Sequence, residues 1–203
     1  KILKMKRVTI LFSIAILFFS CTTEYKPRNI NKVTIKEFKM DSMSIRAIQH
    51  LDKDRVIFAS STGEIGYFWE GEKTRPIHFP KYKDSISPNF RSLFFNNDEI
   101  FALSIGNPAL LYKISEGKST LVYKEEHKKV FYDAMQFFDD TIHGIAVGDP
   151  TETCPSIILT ADAGKTWTKL SCNNLPVFEE GEAFFAASNT NIKTIGSTVW
   201  IAS

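Results

Sequence analysis

Thr160-Ala161-Asp162-Ala163-Gly164-Lys165-Thr166-Trp167 fits the pattern S/T-x-D-x-G-x-x-W, and the pattern describes a hairpin turn. The Asp162 carboxylate accepts hydrogen bonds from nearby backbone amides, as in an Asx turn. Gly164 supplies a positive φ without steric cost. Trp167 buries its ring against neighbouring strands, and the Thr160 hydroxyl adds a polar partner. Such a turn is structural, not catalytic. Two of the three cysteines flank it, Cys154 and Cys172. Facing residues of an antiparallel hairpin have a constant index sum, so pairing Thr160 with Lys165 or Thr166 brings the two thiols together. In an oxidising compartment they are expected to form a disulfide; free thiols in a wide or bulged hairpin are the alternative.

Outward from this turn the body repeats. Short apolar or alternating runs recur as pairs: Ser44–Ile48 with Val56–Ser60, Asn89–Leu93 with Glu99–Leu103, and Val130–Ala134 with His143–Val147. A fourth pair reads Gly181–Phe185 with Val199–Ala202. Alanine recurs at 59, 102, 146 and 202, and a turn glycine at 71, 117 and 164. Polar turns punctuate each unit, as at Asp52-Lys53-Asp54, Asn96-Asn97-Asp98 and Asp139-Asp140. No sustained helical period follows Cys21. Four strands per unit at roughly 40–50 residues is the signature of a β-propeller blade. A non-repetitive β-sandwich is the competing arrangement. The expected fold is therefore all-β, a propeller of four-stranded antiparallel blades at about 42–80, 87–124, 128–172 and 180–203. About three and a half blades are present of an expected seven, which suggests the N-terminal part of a longer protein. In that case residues 32–40 could supply the strand that closes the ring.

The chain has 203 residues, 43% hydrophobic and 24% charged, enough for a packed core. Its net charge of +2 comes from one segment. Residues 1–20 carry Lys1, Lys4, Lys6 and Arg7 and no acid, which leaves the remainder slightly acidic and gives no reason to expect nucleic-acid binding. Met5 reads as the start of a signal sequence: a basic Lys6-Arg7, an apolar run from Val8 to Phe19, then Ser20-Cys21. The run is too short for the ~30 Å hydrocarbon core. A Cys directly after a small residue resembles a bacterial lipobox, so residues 1–20 are expected to be a lipoprotein-type signal peptide. Cys21 would be the lipidated residue, and 21–31 a polar tether ahead of a propeller at 32–203. An ordinary signal peptide or a short signal anchor is the alternative.

The set Val130–Pro150, the hairpin motif at 160–167 and Glu180–Asn191 resembles the photosystem II stability/assembly factor-like group of BNR-repeat (Asp-box) propellers, above all their bacterial lipoprotein members. The resemblance runs over about residues 42–203. It implies a seven-bladed propeller and, in photosynthetic members, an assembly chaperone that binds a membrane-protein subunit. Blades one and two lack a clean Asp box, so the diagnostic motif occurs once. The resemblance implies a membrane-tethered, protein-binding scaffold in the bacterial cell envelope, with a protein partner and a lipid anchor. The ring would be closed by a missing C-terminal half or a second copy.

Enzymatic readings have less support. Gly117-Lys118-Ser119 and Gly164-Lys165-Thr166 imitate the end of a P-loop but lack its first glycine, and neither opens a helix. No G-x-G-x-x-G follows a strand, which removes the sequence basis for a nucleotide-dependent oxidoreductase. A sialidase-like glycoside hydrolase needs a triad of arginines, and no Arg follows Arg91. That reading stays open as an alternative, with its catalytic residues outside this sequence; an oxidoreductase of unknown substrate is the second. No cofactor and no metal ligands are expected, because the four His are scattered and no CxxC exists. If the repeats align, Arg46, Arg91, Asp133 and Glu182 fall at equivalent places on four first strands. There they would form a mixed-charge ring at one mouth of the channel, and Asp149 in Gly-Asp-Pro would shape a turn.

Overall fold

A computed structural model describes residues 26–35, 37, 43–69, 75–96, 98–185 and 189–203. The chain divides into Lys1–Glu37 and Phe38–Ser203. In the first unit residues 26–35 are exposed and form no strand. The closing strand read at 32–40 is not present over 32–35, and its remaining positions lie largely outside the described residues. The signal segment and Cys21 also lie outside them.

The second unit is all-β. β1 (Ile45–His50), β2 (Arg55–Ser60), β3 (Ile65–Trp69) and β4 (Arg75–His78) form one antiparallel sheet in chain order. β5 (Phe90–Asn96), β6 (Glu99–Ser104), β7 (Ala109–Ser115) and β8 (Lys118–Glu125) form a second. β9 (Tyr132–Phe137), β10 (Gly144–Gly148), β11 (Ser156–Thr160) and β12 (Thr168–Lys169) form a third. β13 (Ile192–Ile195) and β14 (Thr198–Ile201) pair as a two-stranded sheet. The first strands β1, β5, β9 and β13 lie beside one another in that order. Sheets that meet through their first strands and pack face to face make a partial β-propeller.

Local chemistry sets the hairpins. Asp52 accepts from the amides of Asp54 and Arg55 at 3.0 Å each, closing the β1–β2 turn. Asp140 does the same for Ile142 and His143 at 2.9 Å each between β9 and β10. Glu116 and Gly117 both have positive φ between β7 and β8, the primed turn that suits two-residue hairpins. Strand burial follows depth in the blade. All five residues of β10 are buried, whereas every residue of β8 is exposed or half-buried.

Three apolar seams hold the sheets together. Between the first and second sheets pack Ala47, Ile57, Ile65, Phe90, Leu93 and Ile100. Between the second and third pack Phe101, Leu111, Met135, Phe137, Ile158 and Trp167. Beyond the third sheet, Ala134, Ile145, Val147 and Ile157 meet Phe184 and Ile192. Ala59, Ala102 and Ala146 are fully buried on the second strands of their sheets. Ala202 does not match them: it lies past the end of β14 and is exposed. Gly181–Phe185, read from sequence as the fourth first strand, is turn and irregular chain. That strand is β13, because residues 175–184 are used to cover the end of the third sheet through Phe178 and Phe184.

Candidate functional site

The first strands share one defect. The β1–β2 register runs Ala47↔Ala59 and then jumps to Ile45↔Ser60, leaving Arg46 unmatched. The β5–β6 register jumps between Ser92↔Leu103 and Phe90↔Ser104, leaving Arg91. The β9–β10 register jumps between Ala134↔Val147 and Tyr132↔Gly148, leaving Asp133. A bulge re-aims one side chain and bends its strand. Here the same bulge recurs in three successive blades and leaves Arg46, Arg91 and Asp133 at equivalent positions of their strands.

A second recurrence fixes the alignment. The residue after each second strand donates its amide to the carbonyl just before the first strand. The pairs are Ser61 to Ser44 (2.9 Å), Ile105 to Asn89 (3.0 Å), Asp149 to Phe131 (2.8 Å) and Ala202 to Asn191 (2.9 Å). Gly148 makes the third clip feasible, because a Cβ there would run into the Phe131 carbonyl. By this pattern the fourth counterpart of Arg46, Arg91 and Asp133 is Lys193. Its strand has an unbroken register, Ile192↔Ile201 to Ile195↔Thr198, and Lys193 is exposed. Glu182 instead sits in a turn, its carboxylate accepting from the Glu179 amide at 2.9 Å.

Arg46 is exposed, whereas Arg91 and Asp133 are buried together. The Arg91 Nε lies 3.8 Å from Asp133 Oδ1, and its guanidinium sits over the Phe131 ring at 5.5 Å. Asp133 is 0% exposed, and among the described residues neither of its oxygens has a hydrogen-bond partner. Burial, then the Asp149 carboxylate, push Asp133 up to about 7 against the pull of Arg91. Burial also raises Asp149, whose Oδ1 accepts from the Phe184 amide at 2.9 Å. Asn191, at the head of β13, has both amide atoms buried without a partner among the described residues. β13 lies beside β9, with Thr194 Oγ1 donating to the Phe137 carbonyl at 3.2 Å. Arg91, Asp133 and Asp149 therefore form one cluster of two carboxylates and a guanidinium. Sequence reading brings Arg91 and Asp133 together. It misses Asn191, whose only signal is a place in the hydrogen-bond repeat.

The hairpin motif is a support, set away from this corner. Thr160 Oγ1 donates to Asp162 Oδ1 at 2.8 Å and accepts from the Gly164 amide at 3.0 Å. Asp162 accepts from the Thr166 amide at 2.9 Å and its hydroxyl at 2.7 Å, which holds its carboxyl down at about 2. Gly164 has φ +72° and presses on Phe101 of the second sheet. Trp167 meets Phe137 edge-on at 5.7 Å. Cys154 and Cys172 are bonded, with Cα atoms 5.5 Å apart. The pairs Leu159↔Thr168 and Ile158↔Lys169 place the hairpin one residue off the register read from the turn.

A partly buried polar bridge invisible in the sequence joins the second and third sheets. Glu125 accepts from Tyr123 (2.8 Å) and Tyr132 (2.7 Å) and pairs with Lys169 at 2.5 Å. Burial raises both phenols above their ordinary range. Among the described residues no cluster of His, Cys, Asp and Glu could hold a metal.

No family model matches the chain, and no curated protein is detectably similar to it in sequence. Solved propellers do resemble it. A structure of YCF48 bound to a D1 peptide shares 14% identity over 67% of this chain and 42% of its own, with a TM-score of 0.48. YCF48 from Cyanidioschyzon merolae shares 18% over 76% and 46%, with a TM-score of 0.45. The WD40 propeller domain of Doa1 shares 14% over 76% and 65%, with a TM-score of 0.36. The chain spans less than half the length of the two YCF48 structures.

Proposed function

We propose that this chain is the ring-forming part of a protein-binding propeller scaffold, tethered to the bacterial cell envelope through a lipidated Cys21. One observation carries the binding reading. The same bulge recurs in three successive first strands, at Arg46, Arg91 and Asp133, with Arg46 exposed and the other two buried. A regular ladder would be more stable there, so the defect is a device for presenting side chains. A fixed, polar channel mouth suits recognition of another chain. The tether rests on the Ser20-Cys21 pattern and the short apolar run before it. On this reading further strands, from a longer chain or a second copy, complete the ring.

Arg46→Glu tests the binding face, because an exposed side chain can be reversed in charge without unfolding the sheet. Cross-linking in native membranes should capture a partner with the natural chain and lose it with Arg46→Glu. Equal capture by both rejects the mouth as the contact face. Cys21→Ser should move the protein from membrane to soluble fractions; continued membrane attachment rejects the tether.

A further inference from the structure

Two turns that imitate the end of a P-loop in the sequence, Gly117-Lys118-Ser119 and Gly164-Lys165-Thr166, border one cavity in the structure. The first closes the β7–β8 hairpin of the second sheet, where Ser115 pairs with Lys118 and Lys113 with Thr120. Strand alternation puts Lys118 and Thr120 on the same face of β8. The second turn belongs to the third sheet, and Lys165 is fixed from both of its flanks. On one side Gly164 lies close against the Phe101 ring, and the Ala163 carbonyl accepts from Lys113 Nζ at 3.3 Å. On the other, Thr166 donates to Asp162 through its amide at 2.9 Å and its hydroxyl at 2.7 Å. The cavity measures about 500 Å³ and is lined by Lys113, Lys118, Lys165, Ser115, Thr120 and Val122, with the turn residue Glu116 beside them.

The three lysines differ in what they are free to do. Lys113 is committed: its ammonium lies 2.8 Å from Glu99 Oε1, and its side chain is 14% exposed. Lys118 and Lys165 are exposed and have no ion-pair partner among the described residues. Glu116 is exposed on the turn, where water and salt screen its carboxylate. The fold does not itself call for lysine here: the pair Phe101↔Lys113 answers to Ile145↔Leu159 in the third sheet. A cationic ligand would meet three ammoniums. A neutral sugar would use the hydroxyls and leave Lys118 and Lys165 unmatched, and a carboxylate would match one of them. A phosphate monoester carries roughly −1.5 to −2 charges at neutral pH and three acceptor oxygens. That is enough for both ammoniums and for the Ser115 and Thr120 hydroxyls. Small-molecule sites measure about 300–1,000 Å³, so the cavity has room for the group that carries the phosphate.

We infer that this cavity is a binding site for a phosphate monoester. Lys118 and Lys165 are its charged contacts, Ser115 and Thr120 its hydroxyl donors, and Lys113 and Val122 its wall. The site goes beyond the protein-binding reading and does not depend on it.

The test is an NMR titration of the full chain with glycerol 3-phosphate at pH 7.5, read from the backbone amides of Lys118, Thr120 and Lys165. All three signals should shift and saturate together. The double variant Lys118→Gln/Lys165→Gln should weaken binding at least ten-fold, and thermal melting confirms that it is folded. Lys193→Gln, which alters an exposed lysine of β13, should bind as the natural chain does. Acetate should bind at least ten-fold more weakly than the ester. Absent shifts overturn the site. So does acetate binding as tightly as the ester, a double variant that binds as well as the natural chain, or an equal loss in Lys193→Gln. Vesicles of phosphatidic acid in phosphatidylcholine identify the source of the ester. Vesicle binding that is lost in the double variant puts a lipid headgroup in the cavity. Vesicle binding that is absent, or unchanged by the double variant, beside binding of the free ester puts a soluble ester there.

Discussion

The third sheet is packed very differently on its two sides. Toward the second sheet, Phe137 stacks on Phe94 at 4.7 Å, tilts against Phe101 at 4.8 Å and receives the edge of Trp167 at 5.7 Å. The Glu125 bridge to Tyr123, Tyr132 and Lys169 closes the rim of that seam. On the far side the inner part is sealed by Ile192, Val199 and Ile201. The outer part is a cavity of about 870 Å³ lined by Phe138, Leu159 and Leu170, with Gly196 and Ser197 of the β13–β14 turn at its border. Inner and outer halves of a blade face are thus buried by different strands. The first two strands of the next blade cover the inner half, and on the near side Trp167, from the hairpin between β11 and β12, adds its edge to Phe137.

The largest expected effect is on the closed side. Trp167→Ala should cost about 3–5 kcal/mol in denaturant unfolding, the usual range for emptying a buried aromatic site. A loss below about 1 kcal/mol would mean that the aromatic clamp does not hold the seam. Replacing Cys154 and Cys172 by Ser should cost about 3 kcal/mol, since the bond closes a short loop of the denatured chain. An unchanged melting point under reducing conditions would remove the bridge from the comparison. Gly164→Ala should cost about 1–3 kcal/mol, because the new methyl meets Phe101.

The mouth adds a pH effect. Asp133 titrates near 7 in the folded chain and near 3.8 when unfolded, so folding favours its protonated form. Its contribution is fully present below about pH 4 and lost as pH rises through 7. Asp133→Asn should flatten stability over that window by at least about 1 kcal/mol, and an unchanged pH profile would show that Asp133 is not desolvated. The smallest effect belongs to the open side. Leu159→Ala should cost under about 1 kcal/mol, because its side chain is only half covered; a loss as large as that of Trp167→Ala would mean the far face is as tightly packed as the near one.

How much of this could be read in advance depended on range. Hairpins are local, so turn residues such as Asp52, Asp140 and Asp162 announce them, and a sum of indices brings Cys154 near Cys172 even with the register one residue off. The repeat was readable through its buried alanines until the fourth unit. There Gly181–Phe185 imitates an apolar strand, because Phe184 is itself buried, though in a covering segment. Counting from it selects Glu182 where the hydrogen-bond pattern selects Lys193. The Glu125 bridge joins residues 44 apart, and nothing in their local sequence marks Tyr132 or Lys169 as partners. Bulges leave no reliable trace in composition, so the equivalence of Arg46, Arg91 and Asp133 could be aligned but the bulge they share could not be read.

The four amide clips have a consequence for synthesis. Each joins residues within about 20 positions of each other, so each unit can close its central hairpin using only contacts of short sequence range. A chain leaving the ribosome can then assemble in vectorial order, each finished hairpin offering its apolar face as a template before the next is complete. The growing end would always present one half-clothed sheet, which makes that moving front, rather than the finished seams behind it, the place where a chaperone is most needed.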